Sequence, residues 1–449
     1  MEGGMKTLNE KYYPMYLYAK EFCEGAERAG ARPVIIALER GEGEVEHYAT
    51  VLYNEGHERE NFRYAERIVK FMLWAYGGYK FYIWGADEAL VEELRECYSD
   101  KGARKFDVDF MEQVYLTRTE FARVENAEDL PAAGIRAERS SPVASGKRIG
   151  FDAGGSDRKV TACIDGKVVY EKETIWYPKL QSDPEYHRMG IEDSIDNALA
   201  ALGGEVEAIG VSTAGIVVDG EIRVASLFRK VPQEIYREKV FPIYKNLAKK
   251  YGCPVKVAND GDVAALAGAF GLGKGKVLGI AMGTSLAGGF VDGDMRIRGY
   301  LNELAFAPVD ADPEAQADEW SGDIGVGGNY HSQDAVIRLA PEAGIELTPD
   351  ASPAEKLKEV QKLAEAGDER AIAIFTRLGD YAAYTLMWFK NFYDFDTAIV
   401  LGRVASGKGG DVLIARARTL LAELGSDIAV ELPDEMSRRL GQSYTATQL

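Results

Sequence analysis

The stretch from Arg148 to Glu173, RIGFDAGGSDRKVTACIDGKVVYEKE, decides the fold of this 449-residue chain. Short β-prone runs alternate with glycine turns, which predicts a three-stranded meander. Asp152 ends the first run, and Gly154, Gly155 and Ser156 follow it in the turn. Glycines let backbone N–H groups come close together and form a concave anion site. The turn is therefore either a phosphate-binding loop or an ordinary tight hairpin.

A second turn of the same kind lies farther along the chain, in GIAMGTSLAGG at residues 279–289. A predicted strand leads into Gly283, Thr284 and Ser285, and a glycine-rich strand follows. Small residues, hydroxyls and free N–H groups again meet at a hairpin. Two such turns, one in each of two lobes, can hold a polyphosphate between them.

A carboxylate follows a third strand, in VANDGDVAA at residues 257–265. Asp260 there can accept the proton of a substrate hydroxyl as that hydroxyl attacks phosphorus, and Asn259 can position the hydroxyl. Asp260 can equally serve as a helix N-cap. Asp262 is the rival carboxylate, and we expect it to cap the helix or to face solvent.

The motifs from Arg148 onward resemble those of the ROK family of sugar kinases and regulators, which belongs to the actin-like ATPase superfamily. DAGGS resembles the first phosphate loop of the family, VSTAGIV (211–217) a substrate-side turn, AND (258–260) the catalytic segment, and GIAMGTSLAGG the second phosphate loop. LGRVASG (401–407) resembles the adenosine-side segment. Each motif alone is weak, but together and in this order they are specific.

The resemblance implies an α/β fold with two RNase H-like lobes around a hinge cleft, preceded by an additional N-terminal α/β domain. We expect domains at residues 1–145, 146–259 and 260–449, with the last helix returning to the small lobe. The implied cofactors are ATP and Mg²⁺, and the implied assembly is a homodimer. The residues assigned to the site are Asp260 (base); Asn259, Thr213, Gly215, Glu303, Phe306 and His331 (substrate); Gly154, Gly155, Ser156, Lys159, Gly283, Thr284, Ser285, Gly402 and Arg403 (nucleotide); and Asp152 (Mg²⁺).

Three departures from the family pattern affect the substrate side. The sugar-binding Glu-x-Gly-His segment reads Glu303-Leu304-Ala305-Phe306, so an aromatic ring replaces a histidine. The segment WSGDIGVGGNYH (320–331) contains no cysteine, so we expect no structural zinc. His331 stands where the family has a sugar-contacting glutamate, and it is either a ligand contact or a satisfied polar residue. Because polar sugar contacts set selectivity, the acceptor need not be a common hexose.

Residues 1–145 are rich in Tyr, Phe and Glu and are acidic overall. They contain a predicted strand pair (33–38 and 47–53), helices at 62–76 and 88–99, and a buried strand at 80–84. No basic recognition helix is present, which argues against DNA binding. We interpret the region either as a degenerate RNase H-like lobe, used for dimer contacts or as a lid, or as an unrelated α/β domain. Polar residues 126–147 form the best linker in the chain.

The charge and the composition of the chain exclude several classes of partner. The net charge of −19 and the pI near 4.9 argue against nucleic acid as the main partner. The four cysteines form no CxxC pair and indicate reduced thiols in a cytoplasmic protein. No signal-peptide run and no bilayer-length apolar stretch is found. The leading hypothesis is an ATP- and Mg²⁺-dependent kinase of a sugar-like molecule. The alternative is a non-catalytic sensor that binds such a molecule.

Overall fold

A computed structural model describes residues 11–134, 145–432 and 435–449, without the side chains of 435–440. The chain forms two compact units. Unit 1 contains Met1–Arg136, Ile280–Gly288 and Leu301–Leu432, and unit 2 contains Ala137–Gly279, Gly289–Tyr300 and Pro433–Leu449. Residues 135–144 of the predicted linker lie outside the described residues. In the described part of the chain, no helix has the length and apolar character needed to cross a membrane.

The N-terminal part of unit 1 is a mixed sheet with helices. Its elements are α1 (Met15–Ala29), β1 (Arg32–Gly41), β2 (Glu44–Leu52), α2 (Glu58–Ala75), β3 (Lys80–Trp84), α3 (Glu88–Cys97), α4 (Lys105–Tyr115) and β4 (Glu120–Val124). The strand order is β2-β1-β3-β4. The sequence predicted the β1–β2 pair, α2, β3 and α3, whereas α1, α4 and β4 were not anticipated.

Unit 2 is built around a five-stranded sheet. Its elements are β5 (Lys147–Ala153), β6 (Asp157–Ile164), β7 (Lys167–Ile175), α5 (Pro184–Ala201), β8 (Ala208–Thr213), β9 (Ile216–Val218), β10 (Glu221–Val224), α6 (Gln233–Lys239), α7 (Lys245–Tyr251), β11 (Val255–Asn259) and α8 (Asp260–Leu272). The strand order is β11-β8-β5-β6-β7. The predicted meander is present, because β6 pairs antiparallel with both β5 and β7.

The two sheets differ in how their first strand is paired. β5 pairs parallel with β8, and β8 pairs parallel with β11, so three strands end at the same sheet edge. In the N-terminal sheet β1 pairs antiparallel with β3, and only β3 and β4 are parallel. The N-terminal sheet therefore does not repeat the topology of the unit 2 sheet.

The remaining elements complete both units. They are β12 (Val277–Met282), β13 (Leu286–Val291), α9 (Gln333–Glu342), α10 (Pro353–Glu365), α11 (Glu369–Phe389), β14 (Thr397–Leu401), α12 (Gly407–Glu423), β15 (Ala429–Glu431) and α13 (Glu435–Ala446), which is interrupted at Gly441. A four-stranded sheet has the order β13-β12-β14-β15. The apolar faces of α11 and α12 pack against each other.

The C-terminal residues cover the sheet of unit 2 at two glycines. A Cβ atom at Gly150 of β5 would lie 1.9 Å from the Ser443 carbonyl oxygen, and one at Gly210 of β8 would lie 1.7 Å from that of Ala446. Any larger residue at either position would push the C-terminal segment off the sheet. Thr161 and Ser443 also share a hydroxyl–hydroxyl hydrogen bond of 2.8 Å. The end of the chain is thereby fixed to the strands around the first glycine turn.

Candidate functional site

Three parallel strands of unit 2 bring polar residues to one sheet edge. Asp152 of β5 is in register with Ser212 of β8, and Thr213 of β8 is in register with Asn259 of β11. Asp260 follows immediately. In open α/β sheets, ligands bind at the carboxyl ends of parallel strands, because the loops and helix N-termini that follow open a crevice there. The predicted base Asp260, the neighbouring amide of Asn259 and the predicted metal ligand Asp152 therefore lie at the same edge.

Asn259, rather than Asp260, caps helix α8. The Asn259 Oδ1 accepts a hydrogen bond of 2.8 Å from Gly261 N–H, and its Nδ2 donates to the Gly215 carbonyl at 2.8 Å. Asp260 is the first helical residue, and its Oδ1 also accepts from Gly261 N–H at 2.9 Å. Partial burial raises the pKa of Asp260, because desolvation disfavours the ionised carboxylate. A carboxylate with a raised pKa is a stronger proton acceptor.

The rival carboxylate, Asp262, has a different role from the one expected. It is only 3% exposed, and its Oδ1 accepts from Phe290 N–H at 3.1 Å. It does not face solvent, and the helix cap is Asn259, so neither expected role of Asp262 was right. Asp262 instead joins the first turn of α8 to the end of β13.

Asp152 is a buried carboxyl next to the first glycine turn. Burial raises the pKa of Asp152 to about 6, and the negative charge of Asp260 contributes in the same direction. Two neighbouring carboxylates with raised pKa values are stabilised by a cation. Among the described residues, no group of three or more His, Cys, Asp or Glu side chains could hold a metal ion. A single carboxylate nevertheless suits Mg²⁺, which takes one or two protein carboxylates plus phosphate oxygens and water. Asp152 therefore fits the ion that the sequence implied.

The first glycine turn is fixed by Trp176. The indole Nε1 donates to the Gly154 carbonyl at 2.8 Å, and Trp176 N–H donates to the Ser156 carbonyl at 3.1 Å. A Cβ atom at Gly155 would lie 3.0 Å from the Nζ of Lys179. The turn is thus a narrow backbone loop with a lysine ammonium beside it.

Lys159, which the sequence assigned to the nucleotide side, is in register with Asp152 of β5, and a second lysine, Lys179, lies beside the turn. Arg158 points to Asp193 (2.7 Å) and Ser194 (2.9 Å), while Lys159 lies 3.6 Å from the Asp157 carboxylate. Lys179 comes 24 residues after Gly155, in a short turn that sequence reasoning did not consider. Its only sequence signal is that it is the first lysine after the meander.

Thr213 and Gly215 support this edge from within. The Thr213 hydroxyl is buried and shares a hydrogen bond of 3.0 Å with the Tyr244 hydroxyl. Gly215 has a φ of +135°, and a Cβ there would lie 2.5 Å from the Cβ of Ala225. The Gly215 carbonyl accepts from the Asn259 amide, so Gly215 orients Asn259, whereas the Thr213 hydroxyl is used within unit 2 by Tyr244.

The second glycine turn lies in unit 1, at the tip between β12 and β13. Gly283 N–H donates to the Ser285 carbonyl at 3.0 Å, and Thr284 and Ser285 are exposed. Gly402 adopts a φ of +95°, and a Cβ there would lie 2.3 Å from the Met282 carbonyl oxygen. The segment containing Gly402 and the exposed Arg403 therefore lies against the strand that leads into the turn. The structure brings these two predicted nucleotide segments together within unit 1.

Residues 301–331, which we call the acceptor segment, contain the predicted sugar contacts. Phe306 lies in an aromatic cluster, with ring centroids 4.4 Å from Trp74 and 5.4 Å from Phe106. Glu303 N–H donates to the Trp74 carbonyl at 3.0 Å. The residue that replaces the family histidine is thus held by the N-terminal region. No sequence motif indicated this contact, although the N-terminal region is rich in aromatic residues.

His331 is buried, and its Nε2 shares a hydrogen bond of 2.8 Å with the Thr385 hydroxyl. Desolvation lowers the pKa of His331 to about 3, so the ring is neutral at physiological pH. Of the two roles that the sequence allows for His331, a ligand contact or a polar residue with its hydrogen bond satisfied, this geometry fits the second.

Known proteins resemble this chain in sequence from residue 148 onward. A sequence model of the ROK family matches residues 148–424. A glucokinase from Streptomyces coelicolor is 29% identical over 287 residues, which is 60% of this chain and 85% of that protein.

Solved structures show the same fold at low identity. A ROK hexokinase from Thermus thermophilus superposes with a TM-score of 0.52 at 22% identity, covering 67% of this chain and 97% of that one. A ROK family transcriptional regulator, a homologue of the E. coli MLC protein, gives a TM-score of 0.52 at 16% identity, covering 68% of this chain and 78% of that one. The predicted α/β fold with two RNase H-like lobes and an additional N-terminal α/β region is confirmed.

Proposed function

Because this chain belongs to the ROK family, we propose that it transfers a phosphoryl group from ATP to a hydroxyl of a sugar or sugar-like molecule. The observation that carries the proposal is the edge of the unit 2 sheet, where Asp152, Asn259 and Asp260 meet beside the first glycine turn. The likeness to a glucokinase favours the same class of reaction.

Asp260 is the proposed general base. The acceptor hydroxyl oxygen attacks the γ-phosphorus of ATP, and the hydroxyl proton passes to the Asp260 carboxylate. The bond between the γ-phosphorus and its bridging oxygen breaks, and ADP leaves with that electron pair. The raised pKa of Asp260 supports this role, and the capping amide of Asn259 keeps the carboxylate at the helix start.

The two glycine turns are the proposed phosphate contacts. Gly154, Gly155 and Ser156 in unit 2, and Gly283, Thr284 and Ser285 in unit 1, offer backbone N–H groups and hydroxyls. We add Lys179 to this set, because its ammonium lies against Gly155. Asp152 is the residue that would hold Mg²⁺, which neutralises charge on the phosphates when it is bound. Gly402 and Arg403 are assigned to the adenosine side.

The acceptor is proposed to contact Glu303, Phe306 and Asn259. Phe306 offers a half-buried ring where the family has an imidazole, so one polar partner for a sugar hydroxyl is replaced by an apolar surface. A site that lacks a polar partner no longer selects for the corresponding hydroxyl. The predicted acceptor is therefore a sugar or cyclitol with an apolar face at that position, such as a modified sugar.

The test of Asp260 is an isosteric pair of variants. Asp260→Asn removes the proton acceptor and should lower kcat by at least about 100-fold while leaving the fold intact. The matched control is Asp262→Asn, two residues away, which keeps an oxygen that accepts from Phe290 N–H and should turn over near the wild-type rate. Phosphoryl transfer is followed with Mg²⁺-ATP and a panel of sugars, amino sugars and cyclitols. Near-normal turnover by Asp260→Asn refutes the assignment.

A second function, that of a non-catalytic sensor for a sugar-like ligand, is favoured by one observation. Phe306 packs in an aromatic cluster, and His331 is hydrogen-bonded to Thr385. The two positions at which the family has polar sugar contacts are therefore both altered. Calorimetry separates the two functions. Ligand binding without nucleotide turnover or phosphoryl transfer supports the sensor and rejects the kinase.

The assembly and location complete the proposal. We expect a homodimer in the cytoplasm, with a small sugar-like substrate and a nucleotide as partners, and with neither nucleic acid nor membrane. The net charge of −19 supports the absence of nucleic acid binding. Light scattering coupled to size exclusion tests the dimer, and a monomeric mass contradicts it.

A further inference from the structure

Two backbone pairings and one buried group of charges attach the acceptor segment to the N-terminal region. The first attachment is at the end of helix α2, whose last carbonyls have no partner within the helix. They accept backbone hydrogen bonds from consecutive residues of the acceptor segment: Leu301 N–H to Tyr76 (3.1 Å), Asn302 N–H to Ala75 (2.9 Å) and Glu303 N–H to Trp74 (3.0 Å). The backbone of Glu303, a proposed substrate contact, is thus hydrogen-bonded directly to the C-terminal end of α2.

The second attachment is a short backbone pairing near the start of the described chain. Met15 N–H donates to the Val309 carbonyl at 2.9 Å, and Ala311 N–H donates to the Tyr13 carbonyl at 2.7 Å. Between these bonds, the Asp310 carboxylate accepts from Tyr13 N–H at 3.0 Å. The middle of the acceptor segment is therefore held by residues almost 300 positions earlier in the chain.

The third attachment is ionic and buried. The carboxylate of Asp323, which is 4% exposed, contacts three cations of the N-terminal region. These contacts are Arg104 Nη1 (2.6 Å), Arg67 Nη1 (3.1 Å) and Lys70 Nζ (3.2 Å). Burial alone would raise the pKa of Asp323, but the three cations hold it well below its usual range.

Two further carboxylates balance this cluster. Glu66 bonds the Nε atoms of Arg67 and Arg104 at 2.6 Å each, and Asp107 contacts the Lys70 Nζ at 2.8 Å. We call these residues the ionic cluster: Glu66, Arg67, Lys70, Arg104, Asp107 and Asp323. It contains three cations and three anions. Five of its members come from α2, from α4 or from the residue before α4, and only Asp323 comes from the acceptor segment.

This composition gives Asp323 a specific consequence. A buried ion pair contributes little net stability, but removing one partner leaves uncompensated charge. Without the Asp323 charge, the cluster keeps its cations inside the N-terminal region. The acceptor segment loses its buried ionic attachment, while the exposed Lys11–Glu314 ion pair remains. The other two attachments hold residues 301–303 and 309–311, so the stretch around Asp323 would be the one released.

We infer that the ionic cluster positions the acceptor segment, so that the N-terminal region is a working part of the acceptor site rather than an appended domain. The inference rests on the proposed function, since it assigns the acceptor to Glu303 and Phe306. Asp323 and its three cations are positioning residues, because they reach the acceptor only through the segment that they hold.

The test is Asp323→Asn, with Asp100→Asn as the matched control. Asp100 forms an exposed ion pair with Arg118 in the same N-terminal region and has no contact with the acceptor segment. Asp323→Asn should raise KM for the acceptor at least about tenfold and leave KM for ATP within about twofold. Asp100→Asn should change neither. A merely stabilising role for Asp323 would leave both KM values of the folded enzyme unchanged.

A second measurement does not depend on activity. Hydrogen exchange of amides in residues 312–331 should be at least about tenfold faster in Asp323→Asn than in the wild type, with exchange in unit 2 unchanged. If the wild type phosphorylates no acceptor, the proposed function fails while this exchange test of the cluster still stands. Unchanged exchange and an unchanged acceptor KM overturn the inference.

A milder variant covers the case in which Asp323→Asn does not fold. Arg104→Lys keeps the charge at a partly exposed position but loses the forked geometry that joins Glu66 to Asp323. It should raise the acceptor KM and speed exchange in the same stretch, by less than Asp323→Asn would. A folded Arg104→Lys enzyme with wild-type acceptor KM and wild-type exchange overturns the inference.

Discussion

Asp152 should make the protein less stable as the pH rises, and Asp152→Asn should remove this effect. Burial, with a contribution from Asp260, raises the pKa of Asp152 from 3.8 to about 6. Such a rise corresponds to about 3 kcal/mol of free energy between the protonated and the ionised carboxyl. Because the folded pKa lies above the unfolded one, the stabilising contribution is complete below about pH 4 and is lost as the pH rises through about 6.

The amide of Asp152→Asn has no charge to bury, so its contribution does not change with pH. The variant and the wild type should have equal free energies of unfolding near about pH 4, and the variant should be more stable by up to about 3 kcal/mol near about pH 8. Urea unfolding followed by circular dichroism, in buffer with chelator, measures the difference across this range. The titrating groups that do not interact with Asp152 are common to both proteins, so their contributions to the difference cancel. A difference that does not change with pH refutes the buried, charge-coupled environment of Asp152.

Three further predictions concern the first glycine turn, the turn that contains Gly215, and the dependence on a metal ion. Lys179→Met should raise KM for ATP about tenfold through loss of a charge-assisted phosphate contact. The control variant Lys172→Met, on the strand β7, should leave KM for ATP unchanged. Equal ATP kinetics for the two variants would show that Lys179 is not part of the site. Gly215→Ala should lower the melting temperature, because its Cβ would lie 2.5 Å from that of Ala225 at a φ of +135°; an unchanged melting temperature contradicts this packing. Chelation with EDTA should abolish phosphoryl transfer without lowering the free energy of unfolding, and a destabilised protein would reveal a structural metal.

The parts of the fold predicted from sequence are those set by local pattern. The meander of β5–β7 follows from short β runs and glycine turns, and the placement of Asn259-Asp260 follows from a strand that runs into a small-residue helix. The prediction for Asp262 failed because the sequence does not show that Phe290 N–H, 28 residues later, needs a buried acceptor. Local pattern carries no information about such partners.

The contacts between the acceptor segment and the N-terminal region could not be predicted from the sequence. Lys70 lies on a helix that periodicity predicts, yet its charge gives no sign that the side chain is fully buried. Arg67 meets Asp323 across 256 positions of sequence. Neither residue belongs to a motif, so the attachment of the N-terminal region could be found only from the tertiary structure. The replacement of a histidine by Phe306 was visible, but its partner Trp74 was not.

The most direct test of the central claim is a phosphoryl-transfer assay on the full chain with Mg²⁺-ATP and a panel of sugars, amino sugars and cyclitols. The account predicts that the wild type forms a phosphorylated product with at least one of them and that Asp260→Asn, folded and able to bind the same acceptor, forms none. Binding of acceptor and nucleotide by the wild type, with no transfer to any acceptor that binds, would contradict it.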